Sequence, residues 1–202
     1  MARITIIDYG AGNLASLRNA FEFLDIPVEI TSEIDHIRSA DKLLLPGVGA
    51  FAPAIRRLEE RGIASTIQQK VYEGTPLLGI CLGMQLLFTT SYEQGEWSGL
   101  DLIPGEVTKF TGGKKVPHMG WNKLDIRKPD GILKGIAEPA FVYFVHSYYC
   151  VPSEPEVITA TSEYGTSFCA TVRKDNIWGA QFHPEKSQDV GLQILKNFAT
   201  QE

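Results

Sequence analysis

Gly79-Ile80-Cys81-Leu82-Gly83 sets one cysteine between two glycines inside the apolar run "LLGICLGMQLLF", Leu77 to Phe88. A cysteine in such a run most often behaves as a small buried hydrophobe. The flanking glycines point to a different use. A G-x-C-x-G between a strand and a helix is the pattern of a nucleophile elbow, with sulfur in place of oxygen. A sharp strand-to-helix turn forces strained backbone on its central residue, and glycines two positions away let neighbouring backbone pass close by. The turn would also set Cys81 at a helix N-terminus, where free N–H groups favour a thiolate, and aim the Leu82 N–H at a forming oxyanion.

A thiol nucleophile needs a base, and the chain has four histidines. His36 lies in polar "EIDHIRS" and reads as a solvated side chain. His118 in "PHMGWN" and His146 in "VHSYY" read most simply as structural histidines with satisfied partners. His183 in "GAQFHPEKS" is different, because a strand runs into His183-Pro184-Glu185. Residues two apart on an extended segment project to the same side, and Pro184 stiffens the link. A base and the carboxylate that orients it fit that spacing. By itself the tripeptide could equally be a strand-end histidine beside a surface glutamate; the cysteine elbow makes the functional reading the better one.

"LLLPGVGAF", Leu43 to Phe51, adds Gly47 and Gly49 after a buried strand and before a helix. It spells G-x-G-x-x-A, a short match to a dinucleotide fingerprint that lacks the acid at the end of the following strand. The same glycines could instead free the backbone around Val48 to supply, or by a peptide flip withhold, a second oxyanion N–H.

These groups need a scaffold to hold them together. "RITIID", "PVEIT", "KLLLPG" and "PLLGI" read as strands, and "LASLRNAFEFL", Phe51 to Gly74 and "MQLLFTTSY" as helices. Strands alternating with helices imply a mainly parallel sheet covered on both faces. After Tyr92 come short strand-like pieces in "EVTKF", "KVPHMGWN", "FVYFVHSYY", "EVITATS", "SFCATVR" and "IWGAQF". A closing helix over "GLQILKNFATQ" has Leu192, Leu195 and Phe198 on one face. The fold class expected is therefore α/β, doubly wound, with antiparallel additions in the second half, as a single domain over residues 1–202.

Composition narrows the function. Net charge is -5, with lysines and arginines scattered, so nothing here suits a phosphate backbone, and no nucleic acid is expected as a partner. The opening "MARITIIDYG" carries neither a signal-peptide core nor a membrane span, so a cytoplasmic location away from membranes is expected. Cys81, Cys150 and Cys169 are widely spaced and odd in number, which suggests reduced thiols and neither a disulfide framework nor a metal site.

"PGVGAF", "GICLGMQLLF" and "QFHPEKS", in that order, resemble the class I glutamine amidotransferases that use a Cys-His-Glu triad. The opening "DYGAGNL", "PHMGWN" and "VHSYY" resemble the branch of glutaminase subunits of imidazole glycerol phosphate synthases, and the likeness spans nearly the whole chain. The resemblance implies a flavodoxin-like sheet and the hydrolysis of L-glutamine through a glutamyl thioester on Cys81. His183 would be base and then acid, Glu185 its orienting carboxylate, and the Val48 and Leu82 N–H groups the oxyanion hole. It further implies substrate recognition at Gly47, Gln85, His146, Ser147 and Tyr148, and no cofactor. A chain of this length has no obvious room for acceptor chemistry, so ammonia should pass to a partner. By resemblance the partner is a (β/α)8-barrel cyclase subunit in a heterodimer, docked on Asn13, His118, Met119, Trp121, Asn122 and Lys186. Two alternatives stay open: the glutaminase of another synthase or a related cysteine hydrolase, and a non-catalytic module that binds a phosphate ligand on its Gly-rich loops.

Overall fold

The computed structural model describes residues 3–111, 114–129 and 131–201. The first part of the chain alternates β1 (Ile4–Ile7), α1 (Leu14–Phe23), β2 (Val28–Thr31), α2 (Ile34–Arg38), β3 (Lys42–Leu45), α3 (Phe51–Glu60), α4 (Ile63–Tyr72), β4 (Leu77–Ile80) and α5 (Leu82–Leu86). Strands dominate the remainder: β5 (Phe88–Ser91), β6 (Trp97–Ser98), β7 (Ile103–Lys109), β8 (His118–Ile126), β9 (Ala140–His146), β10 (Tyr148–Pro152), β11 (Ile158–Glu163), β12 (Ser167–Lys174) and β13 (Ile177–Ala180). The chain then closes with α6 (Gln188–Thr200).

One sheet runs β2-β1-β3-β4-β13-β12-β11-β8-β9, and a second runs β10-β7-β5-β6. β2, β1, β3, β4 and β13 are mutually parallel. Their order is the 2-1-3-4-5 winding of flavodoxin-like sheets, which bind ligands beyond the carboxyl ends of the strands. The expected α/β class with antiparallel additions is what the chain adopts.

β1, β3, β4 and β13 are buried along their whole length, whereas the edge strand β2 is only half-buried. "KLLL" and "LLGI" are wholly buried, as in a sheet covered on both faces. Successive residues serve opposite cores: Leu43 and Leu45 pack with α3 and α4, and Leu44 packs with α1 and α6. α3 buries Phe51, Ala54, Ile55 and Leu58, and α6 buries Gly191, Ile194, Leu195 and Phe198, each a stripe at i, i+3, i+4, i+7. Leu192, expected in the α6 stripe, is only half-buried and sits at its edge. Lys42 is buried and donates to Phe198 O at 3.0 Å, to Ala199 O at 2.9 Å and to Gln201 O, so it caps the last carbonyls of α6.

One element differs from expectation. The helix expected over "MQLLFTTSY" stops at Leu86, and Phe88–Ser91 is a strand paired with β7 and β6. Leu86, Leu87 and Phe88 are all fully buried, so apolar spacing carries no period that separates helix from strand there. The β-branched Thr89 and Thr90 and distant partners in β7 decide for strand.

Candidate active site

β4 runs directly into Cys81, whose N–H donates to Ala180 O at 2.7 Å and so ties the turn to β13. The Cys81 backbone has φ 55° and ψ -111°, a region L-residues enter at a cost of about 1–3 kcal/mol. Close packing imposes the two glycines. A Cβ on Gly83 would lie 1.9 Å from Leu45 O, and one on Gly79 would lie 2.8 Å from Gly83 O. The elbow anticipated from G-x-C-x-G is therefore present, with the steric cause anticipated for it.

His183 follows β13 through Gln181 and Phe182, and its N–H donates to Tyr143 O at 2.9 Å. Ser187 braces the segment, donating to His183 O at 2.6 Å and accepting from Tyr143 N at 3.0 Å. His183 Nδ1 lies 2.8 Å from Glu185 Oε1, and both side chains are buried. A carboxylate can only accept, so Nδ1 carries the proton and Nε2 holds the free lone pair. Nε2 makes no hydrogen bond among the described residues. Burial disfavours the charged ring, but the Cys81 sulfur and the Glu185 carboxylate outweigh it and push His183 up to about 10. That balance favours a protonated ring beside the Cys81 sulfur.

Cys81 and His183 share a cavity of about 270 Å³, slightly below the range of drug-sized pockets and suited to an amino-acid-sized ligand. Val48, Leu82, Gln85, His146, Ser147 and Tyr148 also line it, as the sequence led us to expect. The Val48 N–H makes no hydrogen bond among the described residues and is available as a donor. Gln85 Nε2 donates to Tyr148 O at 3.0 Å and to Gln181 Oε1 at 3.1 Å.

Two expected residues take other places, and a third lines the cavity with its ring nitrogens already engaged. Gly47 does not line the cavity. A Cβ there would lie 2.8 Å from Gly83 N, from the Leu82 Cβ and from the Tyr9 hydroxyl, so it clears room for the elbow. His118, expected on the docking surface, is buried, stacked on Tyr164 with centroids 4.1 Å apart and on Phe144 at 4.9 Å. An aromatic side chain on the inner face of β8 gains more from these rings than from solvent. His146 lines the cavity, but both of its ring nitrogens are engaged within the protein, 3.0 Å from His118 Nδ1 and 2.8 Å from Tyr148 O. Both histidines are therefore held by partners inside the protein.

The remaining docking residues do reach the surface. Met119, Trp121 and Lys186 are exposed, and Asn13 is half-buried, accepting from Ser16 N at 3.4 Å at the start of α1. Asn122 is half-buried, donating to Glu163 O at 2.8 Å. Exposed Phe141 on β9 extends this apolar face, and Trp121 meets Tyr143 edge-on at 6.1 Å.

Sequence reasoning missed three residues. Glu93 lines the cavity and accepts from Phe51 N at 2.8 Å; burial pushes its carboxyl up against that bond. Gln181, wholly buried, directs Nε2 at Cys81 Sγ from 3.9 Å. Tyr9, also buried, donates to Pro46 O at 2.9 Å just before the Val48 loop; burial and then Cys81 push its phenol up, so it stays a donor. Gln181 sits inside "QFHPEKS" and Tyr9 inside "DYGAGNL", two motifs singled out for other residues, whereas Glu93 lies in none and reaches the site by tertiary approach alone.

A cysteine on a strained strand-to-helix turn, facing a carboxylate-oriented histidine at the carboxyl ends of a 2-1-3-4-5 sheet, defines a cysteine-dependent hydrolase of the α/β type. The sequence model of the class-I glutamine amidotransferases matches residues 5–201, and the chain belongs to that family. It is 51% identical over 198 residues to the imidazole glycerol phosphate synthase subunit HisH of Moorella thermoacetica, spanning 98% of this chain and 94% of the relative. The protein of the same name from Syntrophotalea carbinolica is 50% identical over 202 residues, spanning 96% of this chain and 98% of the relative. A chain in the structure of PurLQS from Thermotoga maritima shares the fold, with a TM-score of 0.76 at 17% identity over 98% of both chains.

Proposed function

We propose that this chain is the glutaminase subunit of an imidazole glycerol phosphate synthase, working in the cytoplasm as one glutamine amidotransferase domain. The observation that carries the chemistry is the shared cavity of Cys81 and His183, with His183 Nε2 unpaired and Nδ1 held by Glu185. The Cys81 thiolate adds to the side-chain amide carbon of glutamine. His183 gives a proton to the departing nitrogen, ammonia leaves, and a glutamyl thioester remains. His183 then takes a proton from water, which cleaves the thioester to glutamate and frees the thiol. The N–H groups of Val48 and Leu82 hold the oxyanion in both halves. Gln85 and Glu93 line the cavity; with both Gln85 amide hydrogens engaged, its Oε1 is left to accept from the substrate, and in this reading the Glu93 carboxylate meets the α-ammonium group.

Ammonia in water is mostly protonated and unreactive, so the product must be used close by. The partner is a (β/α)8-barrel cyclase that makes imidazole glycerol phosphate and aminoimidazole carboxamide ribotide. Its docking surface is the strip from Asn13 through Lys186 to Met119, Trp121 and Phe141. The 3-10 turn Pro184–Lys186 packs against both α1 and β9, which makes that strip continuous beside His183. Rows of exposed apolar side chains of this kind mark protein interfaces. No helix among the described residues is long and apolar enough to cross a membrane.

The test is a glutaminase assay of the chain alone and with a cyclase subunit and its ligand, alongside an electrophilic glutamine analogue. The analogue is expected on Cys81 and not on Cys150 or Cys169, whose thiols are buried and pushed up mainly by that burial. Labelling elsewhere, or no ammonia release in either assay, refutes the proposal.

A further inference from the structure

A hydrogen-bonded chain runs from β8 to the wall of the cavity, and one backbone carbonyl fixes the proton on every member. Tyr148 O can only accept, so His146 Nδ1, 2.8 Å away, carries a hydrogen. In a neutral ring His146 Nε2 is then an acceptor, and His118 Nδ1, 3.0 Å from it, must donate. His118 Nε2 becomes an acceptor in turn. Asn122 Nδ2 meets it at 3.3 Å and sends its second hydrogen to Glu163 O at 2.8 Å. The amide cannot be turned over, because Oδ1 would then face a carbonyl and would lose the 2.8 Å bond it accepts from Lys123 N.

Burial pushes both imidazoles down, His118 to about 4 and His146 to about 3, so both are neutral at pH 7. The aromatic stack keeps them from swinging: beyond Tyr164 and Phe144, His118 has Phe110 edge-on at 6.3 Å and Phe168 at 5.7 Å. At the far end, Tyr148 O also accepts from Gln85 Nε2, whose other hydrogen goes to Gln181. Both Gln85 amide hydrogens are thereby engaged, and Oε1 is what Gln85 presents to a ligand. Alternation along β8 puts His118 and Asn122 on its inner face and Met119 and Trp121 on its outer one.

We infer that His118 and His146 are positioning residues for amide hydrolysis: two neutral imidazoles, each protonated at Nδ1, that hold the Tyr148 carbonyl and, through it, the Gln85 carboxamide, and anchor this wall to the strand whose outer face carries the docking surface. The inference rests on the glutaminase reading above. It adds a role for two buried side chains that never touch the reacting atoms.

Long-range 15N–1H spectra of the wild-type chain at neutral pH read the tautomers directly and need no variant to fold. Both rings are expected to show a protonated Nδ1 and a bare Nε2; a protonated Nε2 on either overturns the chain. Steady-state kinetics then test positioning. His118→Phe keeps the stack and removes the donor to His146, and the KM for glutamine is expected to rise about tenfold with a smaller fall in kcat, the size of one buried hydrogen bond left half-made. His118→Asn, whose amide nitrogen overlays Nδ1, is expected to recover most of that loss. An unmoved KM, or Asn no better than Phe, overturns the positioning role, because filling space alone predicts lost thermal stability without this ordering. Wild-type activity is the control: an inactive wild type removes the glutaminase reading, whereas an active one with the wrong tautomer or an unmoved KM removes only this inference.

Discussion

At the scale of single residues, the site divides bond-making from recognition. Cys81→Ser is expected to lower glutamine hydrolysis by at least about 10³-fold, since an alcohol beside a base matched to a thiol is a poor nucleophile. The complex should still make imidazole product from added ammonium salts, because the proposed function assigns the acceptor chemistry to the partner. Comparing glutamine-supported with ammonia-supported synthesis checks this, and equal loss of both would count against the division. Glu93→Gln keeps an oxygen for the Phe51 N–H but loses the charge that meets an α-ammonium group. KM is expected to rise about 10- to 100-fold, the range for a hydrogen bond to a charged group, with kcat little changed. A KM equal to wild type would move Glu93 out of the substrate's reach.

At the scale of elements, the elbow is a packing device. Gly83→Ala would drive a methyl group into Leu45 O, so the β4–α5 turn must open. A loss of about 3 kcal/mol or more in urea unfolding is expected, together with loss of activity. Retained activity would mean that the turn tolerates other geometries. The His118–His146 pair adds a dependence on pH between β8 and β9. Both folded-state values lie below the ordinary 6.5, so the unfolded chain takes up protons first as pH falls. Their contribution is complete above about pH 6.5 and is lost on the way down to about 4 for His118 and about 3 for His146, by about 1.4 kcal/mol per pH unit for each imidazole. His183, raised to about 10, works in the opposite sense, contributing fully below 6.5 and losing its share as pH rises toward 10. Urea melts at pH 7.5 and pH 5 should therefore diverge less in a His118→Phe/His146→Phe double variant than in wild type; identical divergence would place the titrating groups elsewhere.

For the whole molecule, the proposed division puts glutamine hydrolysis in this chain and ammonia use in a partner. The lone chain should hydrolyse glutamine slowly, and the partner with its ligand should raise kcat more than it lowers KM. Completing an oxyanion hole with one N–H at Val48 contributes about 10²–10³-fold. Trp121→Ala removes an exposed aromatic that suits an interface anchor and is expected to uncouple the reactions, with glutamate forming in excess of imidazole product. Titrating the two chains while measuring both products checks this. One-to-one stoichiometry with wild-type binding would place docking on another face.

The parts legible in the sequence are those set by short-range sterics. A nucleophile, its flanking glycines and its helix lie within a few residues, and so do His183, Pro184 and Glu185; each constellation is dictated by backbone that cannot be built otherwise. The alternating strands and helices were legible for the same reason, since a fully buried parallel strand needs an unbroken apolar run. Tertiary structure alone decided that β13 completes the parallel sheet beside β4 and so brings His183 to Cys81. It ended α5 at Leu86, brought Glu93 into the site from a segment that carries no mark of it, and decided that the Gln181 and Tyr9 side chains of two legible motifs belong to the site. It also decided which side of β8 is the core. Strand alternation separates His118 from Met119 by period, but a period of two has no preferred sign: Phe144, Tyr164 and Phe168, packed from three other segments, make the His118 side the inner one.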